Sequence, residues 1–196
     1  MLEFEKKVML TEKECSTLLN AVGGRKSIHQ INYYYDTDNL SMTRSGATFR
    51  VRKKGAVIEA TRKFHHMDKK DCSLENTVIL KGVPDVFPGT QTVLKKLGSL
   101  TTDRVIIGGA HGTKVSLDIN RYLGVTDYEL EIEYPMGEED KAVGILIGYA
   151  GLLKACGALP DIDEFVSRQG KGKSKSERFF ARYLYMKEKS KSRKID

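Results

Sequence analysis

The sequence predicts an α+β fold in which eight antiparallel strands close into a barrel (a tunnel) with flanking helices. About eight strand-like runs come first, and the longest helical patterns follow them. On several runs polar and apolar residues alternate, and the polar face carries charges of one sign. An open sheet would leave these charged rows in water, whereas a barrel would place them inside, opposite one another. We therefore expect one domain over residues 1–196.

The first run combines a charged strand with the start of a helix. Successive side chains of residues 3–9 would point to opposite faces, so Glu3, Glu5 and Lys7 share one face. Residues 11–14, Thr-Glu-Lys-Glu, have the spacing of a capping box. This box predicts a short helix, which a pair of glycines then ends.

A hairpin with a basic inner row is predicted next. A tyrosine-rich strand over residues 30–35 precedes it. Within residues 47–64, two alternating runs are separated by a glycine turn. Arg50 and Arg52 share the polar face of the first run, and Lys63 lies on the polar face of the second.

The middle of the chain is predicted to mix strands with one short helix. Strand-like patterns cover residues 74–80, 104–107 and 114–120. Residues 88–97 carry an apolar stripe that ends at a glycine, which predicts a short helix. Residues 65–72 show no periodic pattern, so we expect a loop there.

A second acidic row lies on the last predicted strand. In residues 128–134, Glu129 and Glu131 share one face. A helical pattern begins at residue 138, and a basic, aromatic helix over 174–187 closes the fold. Two acidic rows therefore flank the basic hairpin in the sequence.

The net charge of +7 is confined to the C-terminal helix and tail. Residues 171–196 hold ten lysines and arginines against three acidic residues, so the remaining chain is balanced. A basic tail permits nucleic-acid binding, but the C-terminal helix has the amphipathic pattern of a lid. We therefore disfavour a nucleic-acid partner.

The cysteines indicate a reducing compartment. Cys15, Cys72 and Cys156 are far apart and match no zinc spacing, so we expect reduced thiols in a cytoplasmic protein. No run approaches the ~18 apolar residues of a membrane span. Acidic residues from position 3 onward argue against a signal peptide. The sequence leaves the oligomeric state open, a homodimer included.

Several motifs, taken in order, resemble the CYTH superfamily of triphosphate tunnel metalloenzymes. The segment Glu3-Phe4-Glu5-Lys6-Lys7 matches the ExExK signature of that family. The resemblance runs from residue 3 to about residue 180 and is greatest to a small, single-domain bacterial branch related to thiamine triphosphatase. The other matching segments are Tyr33–Thr37, Phe49–Arg52, Thr61–Lys63, Leu74-Glu75 and Tyr122–Glu131.

The resemblance implies that the barrel binds a triphosphate-containing small molecule through Mg²⁺ or Mn²⁺ and hydrolyses its terminal phosphoanhydride. Lys175 matches a lysine of the C-terminal helix that reaches the tunnel mouth, and we expect either Lys175 or a second metal ion to orient the attacking water. The implied metal ligands are Glu3, Glu5, Glu129 and Glu131. The implied phosphate ligands are Lys7, Arg50, Arg52, Lys63 and Arg104. Glu75 and Asp118 are either supporting partners of the basic residues or surface acids.

The residue types suit this chemistry. A triphosphate carries about four negative charges, and its cleavage depends on positioning and charge neutralisation more than on covalent help. Arginine meets two phosphate oxygens with one planar fork and stays ionised. Four carboxylates without cations between them would repel one another and raise their own pKa values.

Other functions stay open at this point. Each charged row, taken alone, is more often a solvated strand face than a site. The same tunnel could serve an adenylate cyclase, which would release pyrophosphate, or a non-catalytic binder of nucleotides or polyphosphate. The sequence does not choose among tripolyphosphate, thiamine triphosphate and nucleoside triphosphates, nor between the two metals.

Overall fold

The computed structural model of the protein describes residues 2–23, 25–65, 72–88 and 93–192. Nine strands and five helices occur within these ranges. The strands are β1 (Leu2–Leu10), β2 (Ser27–Asp36), β3 (Ala47–Lys54), β4 (Val57–His65), β5 (Cys72–Ile79), β6 (Val86–Pro88), β7 (Val93–Gly108), β8 (Lys114–Tyr122) and β9 (Val125–Tyr134). The helices are α1 (Glu12–Val22), α2 (Ser41–Arg44), α3 (Glu139–Ala155), α4 (Ile162–Ser167) and α5 (Lys175–Ser192).

The strands form one antiparallel sheet that curls back on itself. Its order is β2-β3-β4-β5-β1-β9-β8-β7-β6, and β2 also pairs with β7 along its whole length. The seam between β1 and β5 is short, because only Leu2–Phe4 pairs with Cys72–Leu74. Beyond Phe4, β1 has no strand partner on that side within the described ranges. The α+β class and the antiparallel sheet with flanking helices are confirmed, but the barrel is incompletely closed rather than closed as predicted.

The prediction of a helix over residues 88–97 is wrong. Val86–Pro88 forms β6, and β7 begins at Val93. An apolar run this short fits either a helix or a strand, so its long-range pairing decides. Here β7 pairs with β2 on one side and with β6 and β8 on the other. The loop predicted over residues 65–72 lies, apart from its ends, outside the described residues.

Alternation within the strands separates a charged inner face from an apolar outer face. Leu117 of β8 and Leu130 of β9 point outward and are almost completely buried under the helices. Leu18 of α1 and Leu146 of α3 belong to the same core cluster. The capping box of α1 is present as predicted, with the Thr11 amide donating to Glu14 Oε2 at 2.7 Å. Helices therefore cover the outside of β1, β7, β8 and β9, and the acidic rows face inward.

Helix α5 packs against β2, β7 and β8 through a cluster of aromatic rings. Phe179 and Phe180 are buried against Tyr34, Leu100 and Tyr122. The ring centroids of Tyr34 and Phe179 lie 4.7 Å apart. This packing brings the first turn of α5 over the inner face of the sheet. No helix in the described part of the chain has the length and apolarity needed to cross a membrane.

We expect Gly98→Ala to destabilise the fold by about 1–3 kcal/mol, because the added Cβ would meet a packed ring. At Gly98 of β7, an ideal Cβ would lie 2.9 Å from Phe179 Cζ. Gly144→Ala in α3 is the matched control: its Cβ would meet no atom within 4 Å. Alanine in a helix should raise stability by about 0.5–1 kcal/mol. Urea unfolding measures both changes, and equal effects of the two substitutions would contradict this packing.

Candidate active site

The inner face of the sheet lines a cavity beside the first turn of α5, with about 600 Å³ of space when its mouth, open to solvent, is included. Its walls come from both halves of the curled sheet, since alternation turns every second side chain inward. Most of the predicted site residues meet there. Those lining the cavity are Glu5, Lys7, Arg50, Arg52, Lys63, Arg104, Glu131 and Lys175.

The hairpin of β3 and β4 supplies a basic wall whose hydrogen bonds are incomplete. Arg52 donates from Nε to Asn32 Oδ1 at 2.9 Å. Lys63 Nζ lies 3.0 Å from Glu75 Oε1, while Arg50 Nη2 is 3.6 Å from the same oxygen. Arg50 Nε is buried and has no hydrogen-bond partner among the residues that the structure describes. This wall therefore keeps donor capacity for an anion in the cavity.

The charges on this wall also oppose one another. Burial and the neighbouring guanidinium groups of Arg50 and Arg104 lower the pKa of Arg52 to about 10. Arg52 still carries its charge at neutral pH. A bound anion would relieve the repulsion among these cations and could accept a hydrogen bond from Arg50.

The opposite wall is acidic: Glu131 lines the cavity, and the fully buried Asp118 and Glu129 lie beside it. Asp118 of β8 and Glu129 and Glu131 of β9 present carboxylate oxygens that all lie within 4.8 Å of one another. Lys175 Nζ sits among them, at 2.8 Å from Asp118 and 2.6 Å from Glu131, and also contacts Glu129. Converging carboxylate oxygens are the donor set that Mg²⁺ and Mn²⁺ prefer, so these residues fit such an ion.

Arg104 lies within the acidic wall rather than beside Arg50. Its guanidinium donates to both oxygens of Asp118, at 2.7 and 2.5 Å, and also contacts Glu131. A fourth contact reaches Glu133 at 3.1 Å. Although burial acts in the other direction, Lys175 and Arg104 hold the pKa of Asp118 well below its usual range. Asp118 thus contacts both buried cations, as a supporting partner would, and also belongs to the acidic cluster.

Strand β1 brings Glu5 and Lys7 to the rim between the two walls. Lys7 Nζ lies 3.0 Å from Glu5 Oε1. Although burial opposes ionisation, Lys7, Lys63 and Lys175 hold the pKa of Glu5 well below its usual range. Glu3 is part of β1 and pairs with Ser73, but its side chain lies outside the described residues. Glu5 is therefore an anion within reach of both walls.

Burial disfavours the charged forms of Glu131 and Lys175. It raises the pKa of Glu131 to about 7, with the Asp118 and Glu5 carboxylates acting in the same direction and Arg104 against them. Burial also lowers the pKa of Lys175 well below its ordinary value, while Asp118 opposes this shift. Strongly shifted pKa values of groups at a cavity are typical of functional sites, so these two residues are candidates for such a site.

Some lining residues were not among the predicted ones. Glu133 shares the inner face of β9 and reaches the cavity, where Arg104 and Lys114 hold it. Thr48 and Ser176 also line it and are hydrogen-bonded to each other at 3.1 Å. Strand alternation marks Glu133, but no sequence motif marks contacts between a strand and the start of a helix.

A curled antiparallel sheet with flanking helices, enclosing facing basic and acidic walls, defines the structural class of this protein. The chain belongs to the CYTH domain family, whose model matches residues 1–147. Helix α5, which carries Lys175, lies beyond the matched range.

The chain is also similar to individual proteins. YjbK of Bacillus subtilis, provisionally named a triphosphatase, is 29% identical over 147 residues, which cover 67% of this chain and 77% of YjbK. A Bacillus halodurans protein, provisionally described as an adenylate cyclase, superposes with a TM-score of 0.65 at 23% identity, covering 91% of this chain and 97% of that one. HpAC1 from Hippeastrum is provisionally called an adenylyl cyclase but is described as having a dominant triphosphatase activity. It superposes with a TM-score of 0.61 at 18% identity, covering 92% of this chain and 95% of HpAC1. At these identities the two solved structures establish the fold alone.

Proposed function

We propose that the protein hydrolyses the terminal phosphoanhydride of a triphosphate in a metal-dependent reaction. The observation that carries this proposal is Arg50, which lines a cavity with an acidic cluster opposite and whose buried Nε has no partner within the described chain. Family membership and the names of YjbK and HpAC1 support the same chemistry.

The basic wall would hold the phosphate oxygens. We assign this role to Lys7, Arg50, Arg52 and Lys63, all of which line the cavity. Arg104 is also assigned to it, with its free donor capacity limited by Asp118, Glu131 and Glu133. Glu75 supports the wall by holding Lys63. Positioned cations stabilise the charge that spreads over the transferring phosphoryl group.

The acidic wall would hold the metal. We assign Glu129 and Glu131 as ligands, together with Glu5 and Glu3 from β1, and Asp118 as a neighbour or additional ligand. A bound Mg²⁺ or Mn²⁺ would neutralise phosphate charge and lower the pKa of a coordinated water. Lys175 would donate a hydrogen bond to the attacking water or to a phosphate oxygen from the first turn of α5. In the absence of substrate its Nζ lies among the carboxylates, within 2.8 Å of Asp118.

We also propose that residues 1–196 act as one domain in the cytoplasm. Helix α5 lies beyond the range that the family model matches, yet its side chains pack into the sheet and line the cavity. The site would be incomplete without it.

We expect orthophosphate release from at least one of tripolyphosphate, thiamine triphosphate and ATP, assayed separately with Mg²⁺ and with Mn²⁺. Arg52→Ala should lower kcat/KM about 10²-fold, because it removes a positioned cation from the phosphate wall. Arg62→Ala is the matched control. It lies on the same hairpin, is exposed, and packs on the ring of Phe64, so we expect less than a twofold change.

The products separate the alternatives. Release of pyrophosphate and a cyclic nucleotide from ATP would indicate a cyclase. Tight triphosphate binding that Arg52→Ala weakens, without turnover under either metal, would indicate a binding protein. Equal turnover by Arg52→Ala and wild type would contradict the assigned phosphate wall.

A further inference from the structure

Arg178 joins helix α5 to the acidic wall and was not among the predicted site residues. It lies three residues after Lys175, on the same face of the first helical turn. Its side chain is only 11% exposed. The guanidinium donates from Nη2 to Glu129 Oε2 at 2.6 Å, from Nε to Asp127 Oδ2 at 2.8 Å, and from Nη1 to the Lys173 carbonyl at 2.6 Å.

The two oxygens of Glu129 are divided between two cations of α5. Oε2 accepts from Arg178, and Oε1 contacts Lys175 within the acidic cluster. The Glu129 side chain is completely buried, so bulk solvent does not reach either oxygen. Rotation of this carboxylate is therefore determined by Arg178 on one side and by the cluster on the other.

We propose that Arg178 is a positioning residue for the metal: it holds the Glu129 carboxylate so that Oε1 faces the point where the Asp118 and Glu131 oxygens converge. This inference rests on the proposed function, which makes Glu129 a metal ligand. Groups that hydrogen-bond to a ligand set its orientation, and their loss typically weakens metal binding about 10–100-fold.

The arginine is itself held in place by a second layer of contacts. Asp127, which accepts the hydrogen bond from Arg178 Nε, also accepts from the Tyr122 hydroxyl at 2.8 Å and from the Asn120 side-chain amide at 3.0 Å. Asp127, Glu129 and Glu131 share the inner face of β9. A fixed carboxylate thus orients the arginine, and the arginine orients the next carboxylate along the strand.

Geometry and charge make opposite predictions for this residue. A positive charge beside a metal ligand, taken alone, weakens the binding of a divalent cation by repulsion. If Arg178 acted only as a charge, removing the charge would tighten metal binding and Arg178→Lys would leave it unchanged. If Arg178 positions Glu129, lysine fails, because it lacks the planar fork that reaches Asp127 and Glu129 together.

The test is Mn²⁺ binding by isothermal titration calorimetry on the full chain without substrate. We expect Arg178→Lys to weaken Mn²⁺ binding at least about tenfold. Arg182→Lys is the matched control on the same helix, because Arg182 Nε donates to the Leu123 carbonyl and, among the described residues, Arg182 contacts no carboxylate of the acidic wall. Its Mn²⁺ affinity should stay within about twofold of wild type. Unchanged Mn²⁺ affinity in Arg178→Lys overturns the inference, whatever happens to its melting temperature.

Two further variants keep the outcomes distinguishable. Asp127→Asn weakens the hold on the arginine while leaving Arg178 itself unchanged, and it should also weaken Mn²⁺ binding. It therefore replaces Arg178→Lys if that variant does not fold. Glu129→Gln tests the premise: if it binds Mn²⁺ like wild type, the metal assignment of the proposed function fails. If Glu129→Gln weakens binding while Arg178→Lys and Asp127→Asn do not, only the positioning role fails.

Discussion

Glu131→Gln is expected to lower metal-dependent phosphate release about 10³-fold, the largest loss of activity that we predict. Glu131 lines the cavity and divides its oxygens between Arg104 and Lys175. An amide keeps the volume but withdraws the negative charge that a divalent ion needs, and that ion supplies several kcal/mol of charge stabilisation. The measurement is kcat/KM over a Mn²⁺ titration.

Glu133→Gln is the control for this prediction. Glu133 lies two residues further along β9 on the same face and also lines the cavity. Its oxygens are taken by Arg104 and Lys114, and it does not belong to the cluster of converging carboxylates. We expect a loss below tenfold. Equal losses in the two variants would mean that charge in the cavity matters but a metal centred on Glu131 does not.

Strand periodicity explains why much of the site could be predicted from the sequence. A strict period of two places Arg50 with Arg52, and Glu129 with Glu131, on one face of each strand. The apolar alternates of β9 are buried under α1 and α3, and Val51 of β3 is buried against Tyr35 and Leu94. Both charged rows are therefore left on the inner face. The convergence of both rows on one cavity therefore follows from pattern and packing together.

Other features depend on contacts that no local pattern encodes. The short apolar run before Gly98 became part of β7 because its pairing with β2 outweighs any local helical preference. Arg104 is bound to Asp118 because β7 and β8 place them directly opposite each other. The role of Arg178 required knowing how α5 crosses β9. Register and helix docking, rather than residue type, decide these points.

Arg104→Gln is expected to cause the largest loss of stability, about 3 kcal/mol at pH 7. Its guanidinium, 12% exposed, contacts three carboxylates, and one of them, Asp118, is completely buried. Removing one partner of a buried ion pair leaves an uncompensated charge, which typically costs about 3–5 kcal/mol. Protonation of Glu131, whose pKa is already raised to about 7, should moderate the loss.

The pH dependence of this loss identifies its source. Lys175 and Arg104 hold the pKa of Asp118 well below that of a carboxyl group in the unfolded chain, although burial acts against them. Ionised Asp118 therefore stabilises the wild-type fold above about pH 4, and this contribution fades as the pH falls further. The stability difference between wild type and Arg104→Gln should be greatest near neutral pH and shrink toward pH 3.

Arg121→Gln is the control for this prediction. It removes an arginine of β8 that is half exposed beside Asp103, and it should cost less than about 1 kcal/mol. The measurement is the free energy of unfolding in urea from pH 3 to 7. A stability loss in Arg104→Gln that grows in acid, or that is no larger than the loss in Arg121→Gln, would mean that Arg104 does not neutralise the acidic wall.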